Sequence, residues 1–372
     1  LKFDIDTIDE YQLEITTYCN AACPQCPRNL NGYGINPYMP LTHLSRSAID
    51  LAFTDELCNR IRQIFFCGSY GDPIMHPNFL DILRDFRRKN PTIWLYMHTN
   101  GGVHDAEYWA EIAKIMNGYG QIDFGIDGVG DTLQLYRKNV KYTTVIENAQ
   151  AFINAGGRAQ WNFIVFEHNE KEIATAEKIS KDLGFNNILF RRTGRFWHHG
   201  EERELDSWPI KNKSGVTEYD LRPPKLIQYR NPSTHRIKEI KQQHGSFKNY
   251  LKQTPIHCDS LMGKKVAVNA EGLVLPCNFF NHNLYDARFK DRGQLPGSND
   301  VSFVNGKNQV AEFVDRYRHS IDINNNSLEE VFQSEFWTEL VNGWGNDNRI
   351  MECAMTCGEK FTKVWDQGGS NR

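Results

Sequence analysis

The segment EITTYCNAACPQCPR, residues 14–28, places three cysteines at positions 19, 23 and 26 in a C-x3-C-x2-C spacing. Thiolates are the ligands of iron–sulfur clusters and of structural zinc. Three of them fall one short of a closed tetrahedral zinc site, and an odd number cannot pair completely as disulfides. On a cubane, three protein thiolates leave one iron with an open position. By spacing alone a zinc knob and three unrelated thiols stay open as alternatives. A second set follows the pattern C-x13-G-x4-C and then C-x3-C, made by Cys258, Gly272, Cys277, Cys353 and Cys357. Four thiolates saturate one cluster or one zinc ion.

The elements that must position these groups are legible in the hydrophobic pattern. Over residues 10–192 a short apolar run, a turn signal and an amphipathic stretch recur. The runs are YQLEIT, IRQIFFC, TIWLYMH, QIDFGID, AQWNFIVF and NNILFR. Stretches such as NFLDILRDFRRK and TTVIENAQAFINA carry apolar residues at helical spacing. Strand and helix alternating in this way predict an α/β fold with a parallel sheet, either doubly wound or part of a (β/α) barrel. In both, chemistry belongs at the C-terminal ends of the strands, and the first three cysteines directly follow the first strand. On the fifth run Trp161 and Asn162 alternate, so only one of them faces the barrel. Residues 193–257 are polar and turn-rich and predict a linker or lid with one or two short helices. From residue 258, KKVAVNAEGLVLPCNFF predicts a hairpin. NSLEEVFQSEFWTELVNG predicts a helix capped by Asn326 or Ser327.

Composition narrows the classes. Hydrophobic residues are 40% and charged residues 24%, with a net charge of −3. This supports a sizeable core and argues against a general nucleic-acid binder. No apolar run is long enough to predict a membrane span, and LKFDIDTIDEYQ is too polar for a signal peptide. A cytoplasmic, reducing setting is expected, in which nine cysteines read as metal ligands or free thiols.

CNAACPQCPR resembles the cluster loop of radical S-adenosylmethionine (SAM) enzymes, especially those with a C-terminal auxiliary-cluster domain. The resemblance implies that Cys19, Cys23 and Cys26 bind a [4Fe-4S] cluster whose unique iron takes the amino and carboxylate groups of SAM. Other segments extend it. Tyr70-Gly71-Asp72-Pro73 resembles the family's G-G-E-P element beside the SAM amino group, with Asp72 in place of glutamate. MHTNGG, containing Thr99 and Asn100, resembles the T-N-G strand end. FGIDG carries Gly125 where many relatives have serine, and Arg137 matches the arginine that pairs with the SAM carboxylate. Cys258, Cys277, Cys353 and Cys357 resemble the ligands of SPASM and twitch domains, which implies one auxiliary [4Fe-4S] cluster; a four-thiolate zinc site is the alternative. The implied architecture is a partial (β/α)6 barrel over 1–192, a linker or lid over 193–257, and a small α+β auxiliary domain over 258–372.

The implied reaction is reductive cleavage of SAM to a 5′-deoxyadenosyl radical that takes a hydrogen atom from substrate. The auxiliary cluster then accepts the remaining electron, giving a net oxidation. The substrate is a small metabolite or a ribosomal peptide, the electron donor a flavodoxin or ferredoxin, and no nucleic acid or membrane partner is expected. A redox-neutral epimerase, with Cys67 as catalytic hydrogen-atom donor, and a non-catalytic iron–sulfur or zinc protein are the alternatives. Core packing is the simpler reading of Cys67 and of Cys58. Arg191 and Arg192 are candidates for a carboxylate or phosphate. His198 and His199 are candidates for proton acceptors, although loop histidines are more often solvated.

Overall fold

A computed structural model describes residues 2–30, 32–198, 203–231, 233–285, 303–304, 307–346 and 348–359. The six apolar runs form strands β1 (Glu10–Leu13), β2 (Gln63–Phe66), β3 (Trp94–Thr99), β4 (Gly120–Gly125), β5 (Ala159–Ile164) and β6 (Asn187–Arg191). They lie side by side in chain order, and every neighbouring pair is parallel. Helices α1 (Phe79–Lys89), α2 (Ala106–Met116), α3 (Tyr142–Asn154) and α4 (Ile173–Leu183) fill the crossovers from β2 onward.

Alternation along the strands divides the sheet into two faces. Tyr11, Leu13, Ile64, Phe66, Leu95, Met97, Ile122, Phe124, Trp161 and Phe163 are essentially inaccessible and pack beneath the helices. Phe66 meets Phe79 at 5.4 Å, and Phe124 meets Trp109 at 5.3 Å and Phe152 at 6.1 Å. Burying one such side chain contributes about 1.5–3 kcal/mol. The opposite face carries Glu14, Phe65, Cys67, Tyr96, His98, Asp123, Gln160, Asn162 and Arg191. Of the pair Trp161 and Asn162, it is Asn162 that faces this side.

The hairpin expected after residue 258 is present, as β7 (Lys265–Val268) and β8 (Val274–Leu275). It continues the barrel sheet. β7 pairs in parallel with β1, from Glu10↔Lys265 to Leu13↔Val268, and covers an edge that β1 would otherwise expose. The segment expected to be a linker contains a further hairpin, Trp208–Lys211 with Thr217–Leu221, and helices Ser233–His244 and Phe247–Gln253. The hairpin escaped the sequence reading because its second strand is mostly exposed and so lacks an apolar alternation. The long helix expected from Ser327 is two helices, Leu328–Gln333 and Glu335–Gly343. Ser327 caps the first through a capping box with Glu330, and Ser334 interrupts the run by capping the second. Among the described residues, no helix is long and apolar enough to cross a membrane.

Candidate functional site

The three-cysteine loop leaves β1 at the C-terminal edge of the sheet. Its backbone is held from within by Cys26 N donating to Cys23 O at 3.1 Å, and by Asn29 Nδ2 donating to the same oxygen at 3.1 Å. Arg28, 4% exposed, donates to Thr17 O at 2.5 Å and pins the loop's exit. Burial pushes the Cys19 thiol upward, and Asp72, Cys23 and Cys26 add to the effect, so the three sulfurs share one field. Cys23 is pushed up to about 11 by burial, against the pull of Arg137. A bound metal reverses that penalty by deprotonating the thiols outright.

The neighbouring strand ends form a brace around this loop. Asp72, 4% exposed, accepts from Asn100 N at 2.8 Å, Asn100 Nδ2 at 2.7 Å, Thr99 Oγ1 at 2.9 Å and Ile74 N at 3.3 Å. Burial raises its pKa, and those donors oppose the rise. Asn100 and Asn20 exchange hydrogen bonds at 2.9 and 3.3 Å, which ties the third strand to the three-cysteine loop, and Asn100 Nδ2 lies 3.7 Å from Cys19 Sγ. Pro73 opens the short 3-10 turn Pro73–Met75. Gly71 is required by close approach: a Cβ there would lie 1.9 Å from Thr16 O.

Arg137 donates from Nε to Asp127 Oδ2 at 2.6 Å. Burial works against its charge, but Asp127 and Cys23 raise its pKa. Its Nη2 lies 2.3 Å from where a Cβ of residue 125 would stand. Gly125 is therefore the space that the guanidinium occupies, and the departure from serine goes with the position of Arg137. The loop also encloses Gln25, 7% exposed, whose amide nitrogen and oxygen both lack a partner among the described residues. Three thiols, an orphaned amide and a nearby guanidinium fit an anionic, sulfur-rich group.

The second cysteine set converges too. Cys258 and Cys277 are the residues preceding helices Asp259–Met262 and α5 (Asn278–Leu284). Cys353 and Cys357 are one turn apart on α6 (Met351–Cys357). His257 N donates to Cys357 O at 2.9 Å, closing the ring of segments. Burial pushes Cys277 up to about 12, with Cys357 adding to it; burial also raises Cys353, with Cys277 and Cys357 contributing. Two buried donors, Trp344 Nε1 and Arg349 Nε, complete no hydrogen bond of ordinary geometry among the described residues, though the indole lies close enough to Cys353 to act on it. The Trp344 indole opposes the rise of Cys353, and Cys353 acts on Arg349. Arg349 is fixed by donating to Leu251 O at 3.0 Å and Thr254 O at 2.7 Å. These donors fit a group that presents sulfur acceptors. Among the described residues no three His, Cys, Asp or Glu side chains stand at the spacing of a single bound ion; a cubane spreads its thiolates over a wider cage.

α5 joins the second set to the barrel. Asn278 Nδ2 donates to Cys67 Sγ at 3.2 Å, and Asn281 Nδ2 donates to Glu14 Oε2. Tyr70 Oη donates to His282 O at 2.6 Å, so this side chain docks the helix. Glu14, 2% exposed, also accepts from Tyr70 N at 2.5 Å and Gly71 N at 3.2 Å. Burial raises its carboxyl to about 7, against those hydrogen bonds. Cys67 is 6% exposed and pushed up to about 12 by burial and then by Glu14. Cys58 is fully buried, in keeping with a packing role. Glu14, Asn278 and Asn281 carried no sequence signal, because each matters through partners that are distant along the chain.

Residues 13–179 match the Radical SAM superfamily. The match takes in less than half of the chain. That superfamily uses a [4Fe-4S] cluster with SAM. Among solved structures, native anSMEcpe with bound AdoMet and Kp18Cys peptide aligns at a TM-score of 0.51 and 13% identity, covering 96% of this chain and 95% of that one. Streptococcus suis SuiB bound to S-adenosylmethionine aligns at 0.46 and 12% identity, covering 73% of this chain and 61% of that one, so the chain spans about three fifths of SuiB. BtrN in complex with AdoMet and 2-DOIA aligns at 0.40 and 10% identity, covering 92% of each chain. At these identities the likeness is one of fold, and it rests on anSMEcpe. No curated protein matches the sequence.

Of the remaining candidates, Arg191 donates from Nε to Asn162 Oδ1 at 3.1 Å on the open face, and Arg192 is half-buried beside it. His198 ends a two-residue strand, and His199 lies outside the described residues. His98 and Asp123 were not singled out from sequence, yet they lie in register and within 3.3 Å of each other on the open face.

Proposed function

We propose that this protein is an oxidative radical SAM enzyme acting on a peptide or a small metabolite in a cytoplasmic, reducing setting. One observation carries the reading: the three-cysteine loop, the Asp72–Thr99–Asn100 brace and Arg137 meet at the C-terminal edge of one partial barrel. A cluster with SAM bound there supplies a 5′-deoxyadenosyl radical able to take hydrogen from an unactivated carbon. The chain's own residues do the rest. Arg137 offers its Nη atoms to a carboxylate, Asp72 holds the third strand's end against the loop, and α5 closes the barrel mouth against water. Cys258, Cys277, Cys353 and Cys357 hold one auxiliary [4Fe-4S] cluster in a twitch-like unit over 258–372, with 193–257 as a lid. That cluster accepts the electron that an oxidation releases, and a flavodoxin- or ferredoxin-type protein reduces the first. The donors at Trp344 and Arg349 support a sulfur-rich occupant.

A redox-neutral epimerase using Cys67 is the second reading. Residue 67 shares the open-face register with Phe65, but its thiol is covered by Asn278, so this reading requires α5 to lift. Anaerobic reconstitution tests the assignment. About eight iron atoms per chain are expected for two cubanes, with reductive SAM cleavage lost in Cys19→Ala. Zinc without iron, or intact cleavage in that variant, refutes it. Loss of two hydrogens in the product marks oxidation, and an unchanged mass marks the epimerase.

A further inference from the structure

The open face of the barrel holds a polar chain that the cofactor residues do not use. Asp123, 1% exposed, lies in register with His98 across β3 and β4. Its carboxylate accepts from Tyr96 Oη at 2.6 Å, Gln160 Nε2 at 2.7 Å, Asn162 Nδ2 at 2.9 Å and Gln121 Nε2 at 2.9 Å. Burial works to raise Asp123, but His98, 3.3 Å away, and the Tyr96 and Gln121 donors hold it below the ordinary carboxylate range. A carboxylate so supplied with donors stays ionised.

The proton positions along the chain follow from counting donors. Tyr96 has one hydroxyl proton, and the 2.6 Å contact commits it to Asp123. The Tyr96 oxygen therefore accepts from His98 Nε2, which lies 2.8 Å away. The relay runs from His98 Nε2–H to Tyr96 Oη–H to Asp123 Oδ2. In the neutral imidazole, a proton on Nε2 leaves a bare lone pair on Nδ1. Nδ1 has no hydrogen-bond partner among the described residues, and 43% of the His98 side chain is exposed. Phe65 packs its ring at 4.8 Å, edge to face, and limits rotation of the imidazole. His98 precedes Thr99 on β3, so the imidazole lies one strand residue, about 3.3 Å, below the layer that braces the cofactor loop.

We propose that His98 is a catalytic residue, the proton acceptor of the oxidation, and that Tyr96 and Asp123 are positioning residues that hold its tautomer. The role rests on the oxidative reading above. A carbon that has lost a hydrogen atom and bears a hydroxyl becomes a carbonyl by shedding one proton and one electron. The O–H bond breaks, its proton moves to His98 Nδ1, the C=O bond forms, and the electron passes to a one-electron oxidant of the iron–sulfur class. The Asp123 charge, relayed through Tyr96, stabilises the imidazolium that results. The role applies to a substrate with a hydroxyl on the attacked carbon.

Two experiments test this on the cluster-loaded protein. In 15N-histidine NMR, the resonance lost in His98→Gln is expected to show the Nε2–H tautomer, and Tyr96→Phe is expected to release it. An Nδ1–H tautomer in the unmodified protein overturns the relay. The second uses a perdeuterated extract of the source organism, with SAM and dithionite. Unmodified protein is expected to place deuterium in 5′-deoxyadenosine and to yield an oxidised product. His98→Gln is expected to keep the deuterium transfer and lose product about 100-fold, the scale of general-base catalysis. Equal product from both proteins overturns the role of His98 alone, as does parallel loss of deuterium transfer and product. Absence of any SAM cleavage by the unmodified protein sinks the parent reading and this role with it.

Discussion

Replacing Glu14 with glutamine is expected to change how the protein's stability depends on pH. The carboxyl is 2% exposed at the junction of β1, the Gly71 turn and α5, and burial raises it from 4.5 to about 7. The folded state therefore holds the Glu14 proton over a range in which an unfolded chain releases it. The stabilising contribution is complete below about pH 4.5 and is lost as pH rises through about 7. At about 1.36 kcal/mol per pKa unit the full loss is about 3.4 kcal/mol, of which about 2 kcal/mol falls between about pH 5.5 and pH 8.5. Glutamine keeps an acceptor for Tyr70 N and Gly71 N but carries no charge at any pH. The assay is anaerobic urea unfolding of both proteins across that range, followed by tryptophan fluorescence. Glu14→Gln should gain about 2 kcal/mol on the unmodified protein from the acidic to the alkaline end. Parallel curves, or a relative gain by the unmodified protein at high pH, would show that Glu14 is ionised in the fold and that the burial argument is wrong.

Three further outcomes are expected. Gly71→Ala drives a Cβ to 1.9 Å from Thr16 O, a backbone atom with little room to move, so unfolding should come at least about 3 kcal/mol sooner and SAM binding should weaken; an unperturbed melting curve contradicts the close approach. Gly125→Ser puts a Cβ 2.3 Å from Arg137 Nη2, on a guanidinium held by the Asp127 ion pair, so it should cost about 1–3 kcal/mol in stability and lower SAM affinity by calorimetry, and unchanged affinity would count against a role for Arg137 in holding SAM. Trp344→Phe deletes one N–H beside Cys353 and should lower the midpoint potential of the proposed auxiliary cluster alone, by about 59 mV for a tenfold change in a one-electron equilibrium; potentiometric EPR showing no shift means that the indole does not act on that cluster.

Much of the fold was legible because its signals are local. Alternating apolar runs located all six barrel strands, and helical periodicity located the crossovers, since a strand or helix declares its buried face within a few residues. The three-cysteine loop was visible for the same reason: its ligands lie within eight residues. Ser327 announced its helix, whereas the break at Ser334 did not stand out within a continuous amphipathic pattern. The hairpin at 208–221 was missed because its exposed strand offers no apolar period.

What the sequence determined by itself was the set of chemically able groups and the element that carries each: Cys19, Cys23 and Cys26 after β1, Asp72 after β2, Thr99 and Asn100 at the end of β3, and a second set of four thiols near the C-terminus. Only the tertiary structure decided how they act together. Pairing of β7 with β1 brings Asn278 to Cys67 and Asn281 to Glu14 across more than 200 residues of chain. Strand register sets His98 against Asp123, and the volume missing at Gly125 admits Arg137. The reason is physical. A side chain's type is fixed by the gene, but its charge state and reach depend on burial and on partners that arrive only when distant strands align.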